Sequence, residues 1–242
     1  MNITIWNENV HEKSIPEMTE IHPNGLHGTI AALVGELPEA KVTVATLDMP
    51  EVGLPQAVLD STDVLIWWGH AAHEQVPDEV AERVHARVLD GMGLIVLHSG
   101  HHSKVFRRLM GTNGNLRWRD DTYERMFCVN PTHPIAEGVP MHFELGKEEC
   151  YAEYFNIPAP DELIFLSWFD IGEVFRGGCT WRRGYGKIFY FQPGHETNRS
   201  FFNPHCRRII QNACRWAAQT RHDEVPDAPQ IVETLEEIRK RG

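Results

Sequence analysis

Short apolar runs alternate with longer amphipathic stretches through the first half of the chain. Ile3-Thr4-Ile5-Trp6, Val42-Thr43-Val44-Ala45, Val64-Leu65-Ile66-Trp67 and Leu94-Ile95-Val96-Leu97 carry almost no polar alternation. That continuity is the mark of strands buried on both faces of a parallel sheet. It predicts strands at 2–6, 41–46, 63–67 and 93–97, and Lys187-Ile188-Phe189-Tyr190-Phe191 predicts another at 187–191. Helices are predicted near 24–37 and 77–90. The second opens at Pro77 with Asp78 and Glu79 in its first turn, turns Val80, Val84 and Val88 to the sheet, and stops at Gly91. A third runs over about 204–219, with Asn203 as its cap and Ile209, Ile210, Ala213 and Trp216 on its apolar face. Strand and helix in alternation imply right-handed crossovers and an open parallel sheet.

The region 112–182 breaks this rhythm. It is rich in aromatic residues, Pro and Gly, and its apolar runs (Arg125–Val129, Leu163–Trp168 and the stretch around Glu173–Trp181) have no helices between them. The expectation is a partly antiparallel extension that depends on the main sheet for cover. Beyond Pro226 and Pro229, Ile231, Leu235 and Ile238 form one helical stripe in a charged segment. The expected organisation is a domain over 1–220 and a tail helix over 221–242, with the stripe a candidate contact in a homo-oligomer.

Charge and composition narrow the functional classes. The formal net charge is −11, and Arg117-Trp118-Arg119 runs straight into Asp120-Asp121, so no basic stripe for nucleic acid or an anionic membrane emerges. No apolar run reaches the length of a membrane span, and the opening residues read as a strand rather than a signal peptide, which predicts a cytoplasmic protein. The 5 cysteines are scattered, with no C-x-x-C pair, as expected of buried thiols in a reducing compartment.

Histidine is the unusual residue. In an open α/β sheet, ligands bind at the carboxyl ends of the strands. His11 follows the first predicted strand, His70 and His73 the third, His98, His101 and His102 the fourth, and His195 the last; these are seven of the 14 histidines. Three imidazoles from different strand ends, His11, His98 and His195, with His70 a fourth candidate, form a candidate ligand set for a divalent cation, zinc above all. Glu12 and Glu196 are candidate general bases or carboxylates that orient the ligands. Glu8, Gly69, His70, Gly100 and His101 complete the same edge as candidate substrate-binding residues. Ser99, at a strand–turn–helix junction, is either a nucleophile or a helix cap.

At these residues the sequence resembles the trehalose-utilisation ThuA-like family. The resemblance rests on Trp6-Asn7-Glu8 through Glu12, Leu97-His98-Ser99-Gly100-His101, Leu166-Ser167-Trp168, Gly172–Arg176, Trp181–Gly184 and Phe189–Glu196, and extends to about Ala217. It implies the fold of class I glutamine amidotransferases: a flavodoxin-like, doubly wound, mostly parallel sheet carrying the aromatic-rich extension. It also implies a ligand related to sugars. Amidotransferases place a Cys at the elbow where this chain is expected to place Ser99, which argues against glutaminase activity.

Three functions follow as expectations. The first is a metal-assisted hydrolase or lyase acting on a sugar or keto-sugar. The second is a metal-free hydrolase with Ser99 as nucleophile, His195 as base and Glu196 nearby. The third is a sugar-binding or regulatory module that stacks rings on Trp67, Trp68, Trp118, Trp168 or Trp181.

Overall fold

The computed structural model describes residues 1–218 and 230–241. The apolar runs become β1 (Asn2–Asn7), β2 (Lys41–Thr46), β3 (Val64–Trp68) and β4 (Gly93–Leu97). Four antiparallel strands follow: β5 (Arg117–Cys128), β6 (His142–Ala152), β7 (Glu162–Phe169) and β8 (Val174–Arg183). The last, β9 (Gly186–Phe191), returns to the parallel set. The helices are α1 (Pro16–Ile21), α2 (Gly25–Val34), α3 (Gln56–Asp60), α4 (Asp78–Leu89), α5 (Lys104–Met110), α6 (Pro204–Ala217) and α7 (Leu235–Arg239).

All nine strands form one sheet in the order β2-β1-β3-β4-β9-β8-β7-β5-β6. The first five in that order are parallel, with Ile3 opposite Val64 and Val64 opposite Gly93. Period-two alternation sends Leu65, Trp67, Leu94 and Val96 to one core, against Val80, Val84 and Val88 of α4 and Val105 and Phe106 of α5. Val64, Ile66, Trp68, Ile95 and Leu97 enter the other, against Leu26, Ile30 and Leu33 of α2 and Ile209, Ile210 and Ala213 of α6. The architecture is a doubly wound α/β sheet with an antiparallel extension, as the pattern predicts.

Some local features differ from expectation. β2 is an edge strand that leaves Lys41 and Thr43 exposed, so its apolar run is only half buried. Pro77 is extended, with ψ 144°, and caps α4 instead of opening it. The extension contains a strand that the pattern did not indicate, β6, whose Lys147-Glu148-Glu149 run looks solvated in sequence. Its end reaches back to the strand edge: Gln192, just past β9, donates from Nε2 to the Glu149 carbonyl at 3.0 Å. The proline-marked segment with Pro226 and Pro229, and the boundary at 220/221, lie outside the described residues. Ile231, Leu235 and Ile238 are exposed, and Ile231 precedes α7 rather than sharing it. Among the described residues no helix is long and apolar enough to cross a membrane.

Candidate active site

The carboxyl ends of β1, β3, β4 and β9 deliver four imidazoles to one place. His70 stands in the middle, its ring centroid 5.1 Å from that of His11, 5.9 Å from His98 and 5.5 Å from His195. His98 and His195 are 5.4 Å apart. Two buried carboxylates thread between them. Glu196 lies 2.7 Å from His11 Nδ1 through one oxygen and accepts from His70 Nδ1 at 2.8 Å through the other. Glu149 lies 2.8 Å from His98 Nε2.

Each imidazole is fixed from behind. His98 donates from Nδ1 to the Gln192 carbonyl at 2.8 Å, and Tyr151 stacks on its face with its hydroxyl 3.1 Å from Nε2. His195 Nδ1 is occupied by Thr197, which donates its backbone N–H at 3.3 Å. Trp68 Nε1 donates to the Gly194 carbonyl at 3.0 Å, tying β3 to the segment that carries His195 and Glu196. Gly194 takes φ 128°, and a Cβ there would stand 2.5 Å from the Phe201 ring, so the turn before His195 requires glycine. Glu8 spends both carboxylate oxygens on the backbone N–H groups of Ala71 and Ala72, at 2.8 and 2.9 Å, and so shapes the loop after His70.

The electrostatics hold both carboxylates ionised and treat His195 and His70 in opposite ways. Burial pushes Glu196 up, but hydrogen bonds from His11 and His70 outweigh it and hold the carboxyl well below its usual range. Glu149 follows the same balance, with burial overcome by His98 and then by the charges of His195 and His70. Burial, reinforced by His98, lowers His195 to about 4, leaving it neutral near pH 7. Burial works against a charge on His70 too, yet the Glu196 bond and the surrounding carboxylates raise it.

His70, Glu149 and His195 open together onto a cavity of about 360 Å³. Their ligand atoms lie within 4.8 Å of one another, as do those of His11, His70 and Glu196. Of the expected trio His11, His98 and His195, therefore, only His195 belongs to the set that faces the cavity. His11 stands behind His70, on Glu196, and both His98 nitrogens are taken up by Gln192, Glu149 and Tyr151. Spacing along the chain places a histidine at a strand end; tertiary hydrogen bonds decide which nitrogen faces the ligand.

Other candidates are placed differently. Glu12 turns out of the cluster to meet Asn7 Nδ2 and the Leu26 backbone N–H, bordering a separate depression with His22 and His27. Ser99 lines the cavity, but donates to the Gly69 carbonyl at 2.8 Å and caps no helix; Ser103 caps α5. The residue in the strained conformation after β4 is His98, with φ 49°, so the elbow presents an imidazole where Ser99 was expected. Gly100 is packed so closely that a Cβ would meet Val96 Cγ1 at 2.9 Å. His101 is buried, donates to the Gly114 carbonyl at 2.8 Å, and still lines the cavity. Trp67, Trp68 and Trp181 are core residues, whereas Trp118 is 64% exposed at the cavity wall.

Sequence reasoning missed Glu149, Tyr151 and Asp120. The first two sit on β6 and Asp120 on β5, strands that reach the site only through the sheet, and the acids lie in charged runs that read as solvated faces.

The molecule is a doubly wound α/β sheet with four imidazoles and two buried carboxylates gathered beside one cavity. The chain belongs to the ThuA family, described as trehalose utilisation, whose family model matches residues 2–217. Among solved structures, a protein of Parabacteroides merdae described as ThuA-like is 15% identical, with 93% of this chain and 92% of that one covered at a TM-score of 0.66. A ThuA-like protein of Bacteroides uniformis is also 15% identical, over 89% of this chain and 90% of that one, at 0.63. A cytoplasmic protein of Salmonella typhimurium is 11% identical over 91% of this chain and 100% of that one, at 0.63. At these identities the likeness shows the fold alone. No curated relative matches the chain.

Proposed function

We propose that this ThuA-family protein is a hydrolase or lyase acting in the cytoplasm on a sugar or keto-sugar, with a divalent cation, zinc by preference, held by His70, Glu149 and His195. The observation that carries this is the convergence of those three ligand atoms within 4.8 Å on the cavity wall. The chemistry around them agrees. Glu196 accepts the His70 Nδ1 proton, which leaves Nε2 as the free lone pair, the carboxylate–histidine pairing common behind metal sites. His195 is neutral near pH 7 and Glu149 ionised, the forms that ligate. A bound cation would supply a Lewis acid for a sugar oxygen and lower the pKa of a bound water. His98, braced by Tyr151 and Gln192, lies 2.8 Å from Glu149 through Nε2 and so positions that carboxylate on the cavity wall.

One observation favours a second reading, in which His70 and Glu196 work as a metal-free acid–base pair: the raised pKa of His70. Elemental analysis and zinc calorimetry on the full chain separate the two. One zinc per chain, lost in His70→Ala and His195→Ala and retained in Ser99→Ala, is the expected result. If the protein binds no zinc at micromolar concentration while these substitutions still abolish turnover of a sugar substrate, the acid–base pair replaces the metal.

A further inference from the structure

The centre on the cavity wall uses His70 through Nε2. Its other nitrogen, Nδ1, is 2.8 Å from Glu196 Oε2. His11 Nδ1 stands 2.7 Å from Oε1 of the same carboxylate, is buried, and meets no other polar partner among the described residues. The ligand atoms of His11, His70 and Glu196 lie within 4.8 Å of one another.

A bare imidazole nitrogen and a carboxylate oxygen both present lone pairs, so something positive has to lie between them at such separations. A proton on each ring is one solution, and a single cation shared by all three groups is the other. Two imidazoles and a glutamate are a complete protein ligand set for a zinc site with an open fourth position. Zinc bonds of about 2 Å hold tetrahedral ligands roughly 3.3 Å apart, so seating an ion needs the carboxylate to draw back from each nitrogen by about half an ångström.

The surroundings are anionic. The charges of Glu196, Glu149 and Glu8 all act on His70. Among the described residues neither Glu196 nor Glu149 is ion-paired to a Lys or Arg, and Lys147 is taken by Asp121. The side chains of His11 and His70 keep 15% and 28% of their surface exposed, so an ion reaches them without unfolding.

We infer that His11, His70 and Glu196 form a second cation seat, joined to the first through the His70 ring, so that the protein holds two zinc ions with one imidazole between them. Loading the second ion expels the Nδ1 proton to solvent and leaves the ring as a bridging imidazolate, one nitrogen on each ion. Loss of that proton and the repulsion between two dications make the second ion bind about tenfold or more weakly than the first. The ring holds the ions too far apart to share one water, unlike two-metal sites spaced about 3.5–4 Å apart. The second ion therefore ties the turn after β1 to the ends of β3 and β9 and takes no direct part in attack on a substrate. This deepens the reading above and rests on it for the first ion alone.

The test is zinc calorimetry on the full-length protein, with elemental analysis after dialysis against low and high micromolar zinc. One ion per chain is expected at low zinc and two at high zinc. His11→Ala should stop at one throughout. His195→Ala, empty at low zinc, should take up one ion at high zinc, and the double variant should take up none. With cobalt(II) in place of zinc, the doubly loaded protein should give a smaller paramagnetic resonance signal per cobalt than the singly loaded one, because the bridging ring couples the spins. Saturation at one ion, a second ion that survives in His11→Ala, or two uncoupled cobalt ions each overturns the inference. One ion that is lost in His195→Ala and indifferent to His11→Ala would do so while leaving the first centre standing. Ordered uptake of both ions without turnover of any sugar would fault only the proposed function.

Discussion

His70 Nδ1 donates to Glu196 Oε2 at 2.8 Å across 126 residues of sequence, and the same carboxylate reaches His11 through its other oxygen. One acid thus orients two imidazoles. Glu196→Gln keeps the shape but gives up the charge, and is expected to weaken zinc binding about 10–100-fold, the usual cost of losing a partner behind a ligand. Zinc titration by calorimetry reads this directly, and an unchanged affinity would remove Glu196 from the site.

Ser99 and His98 are adjacent and should behave in opposite ways. Ser99 lines the cavity, but its hydroxyl is committed to the Gly69 carbonyl, so in Ser99→Ala stability should fall by about 1 kcal/mol while turnover stays within about threefold. His98→Asn keeps a side chain that tolerates φ 49° but removes the ring next to Glu149; turnover should fall about 100-fold or more. Near-complete loss in Ser99→Ala would revive the serine nucleophile.

Glu148 anchors the segment that carries His195 and Glu196, with Asn198 donating at 3.4 Å and Ser200 at closer range. Glu148→Ala should increase amide hydrogen exchange selectively over residues 194–200, ahead of any change in β1 or β3. Uniform exchange across the domain would mean general destabilisation instead.

Glu124 is fully buried on β5. Burial, only partly offset by the Ser167 hydroxyl, raises it to about 8, whereas an unfolded glutamate titrates near 4.3. The folded state therefore keeps this proton between about 4.3 and 8 while the unfolded chain releases it, so the group's contribution to stability declines as pH rises through that window. Glu124→Gln removes the dependence. Its melting temperature relative to the parent should be about level at pH 4.5 and higher by at least about 2 °C at pH 8.5. A difference that shrinks as pH rises would reverse the sign and refute the assignment.

The parallel half of the molecule was legible because strands buried on both faces must be continuously apolar, and strands of that kind end at the ligand edge. That logic led to His11, His70, His98 and His195. It had no purchase on Glu149. A glutamate in Lys147-Glu148-Glu149 gives no local sign of burial, and only long-range pairing of β5 with β6 and the reach of Gln192 bring it to His98. Nor could spacing show that Glu12 turns towards Asn7 and Leu26 while its neighbour His11 turns to Glu196. Adjacent residues on a short 3₁₀ turn diverge, and the partner that captures each is set elsewhere in the chain.

The antiparallel extension has a consequence for how such a protein diversifies. All four clustered imidazoles come from the parallel strands, whereas Trp118, Asp120, Lys147 and Glu149 come from the single pair β5 and β6. Except for Glu149, the clustered imidazoles and the remaining cavity wall therefore sit on separable parts of the chain. Insertions or exchanges within that pair, at positions away from Glu149, would re-tailor what is admitted while the reacting groups stay seated in a sheet that tolerates little change.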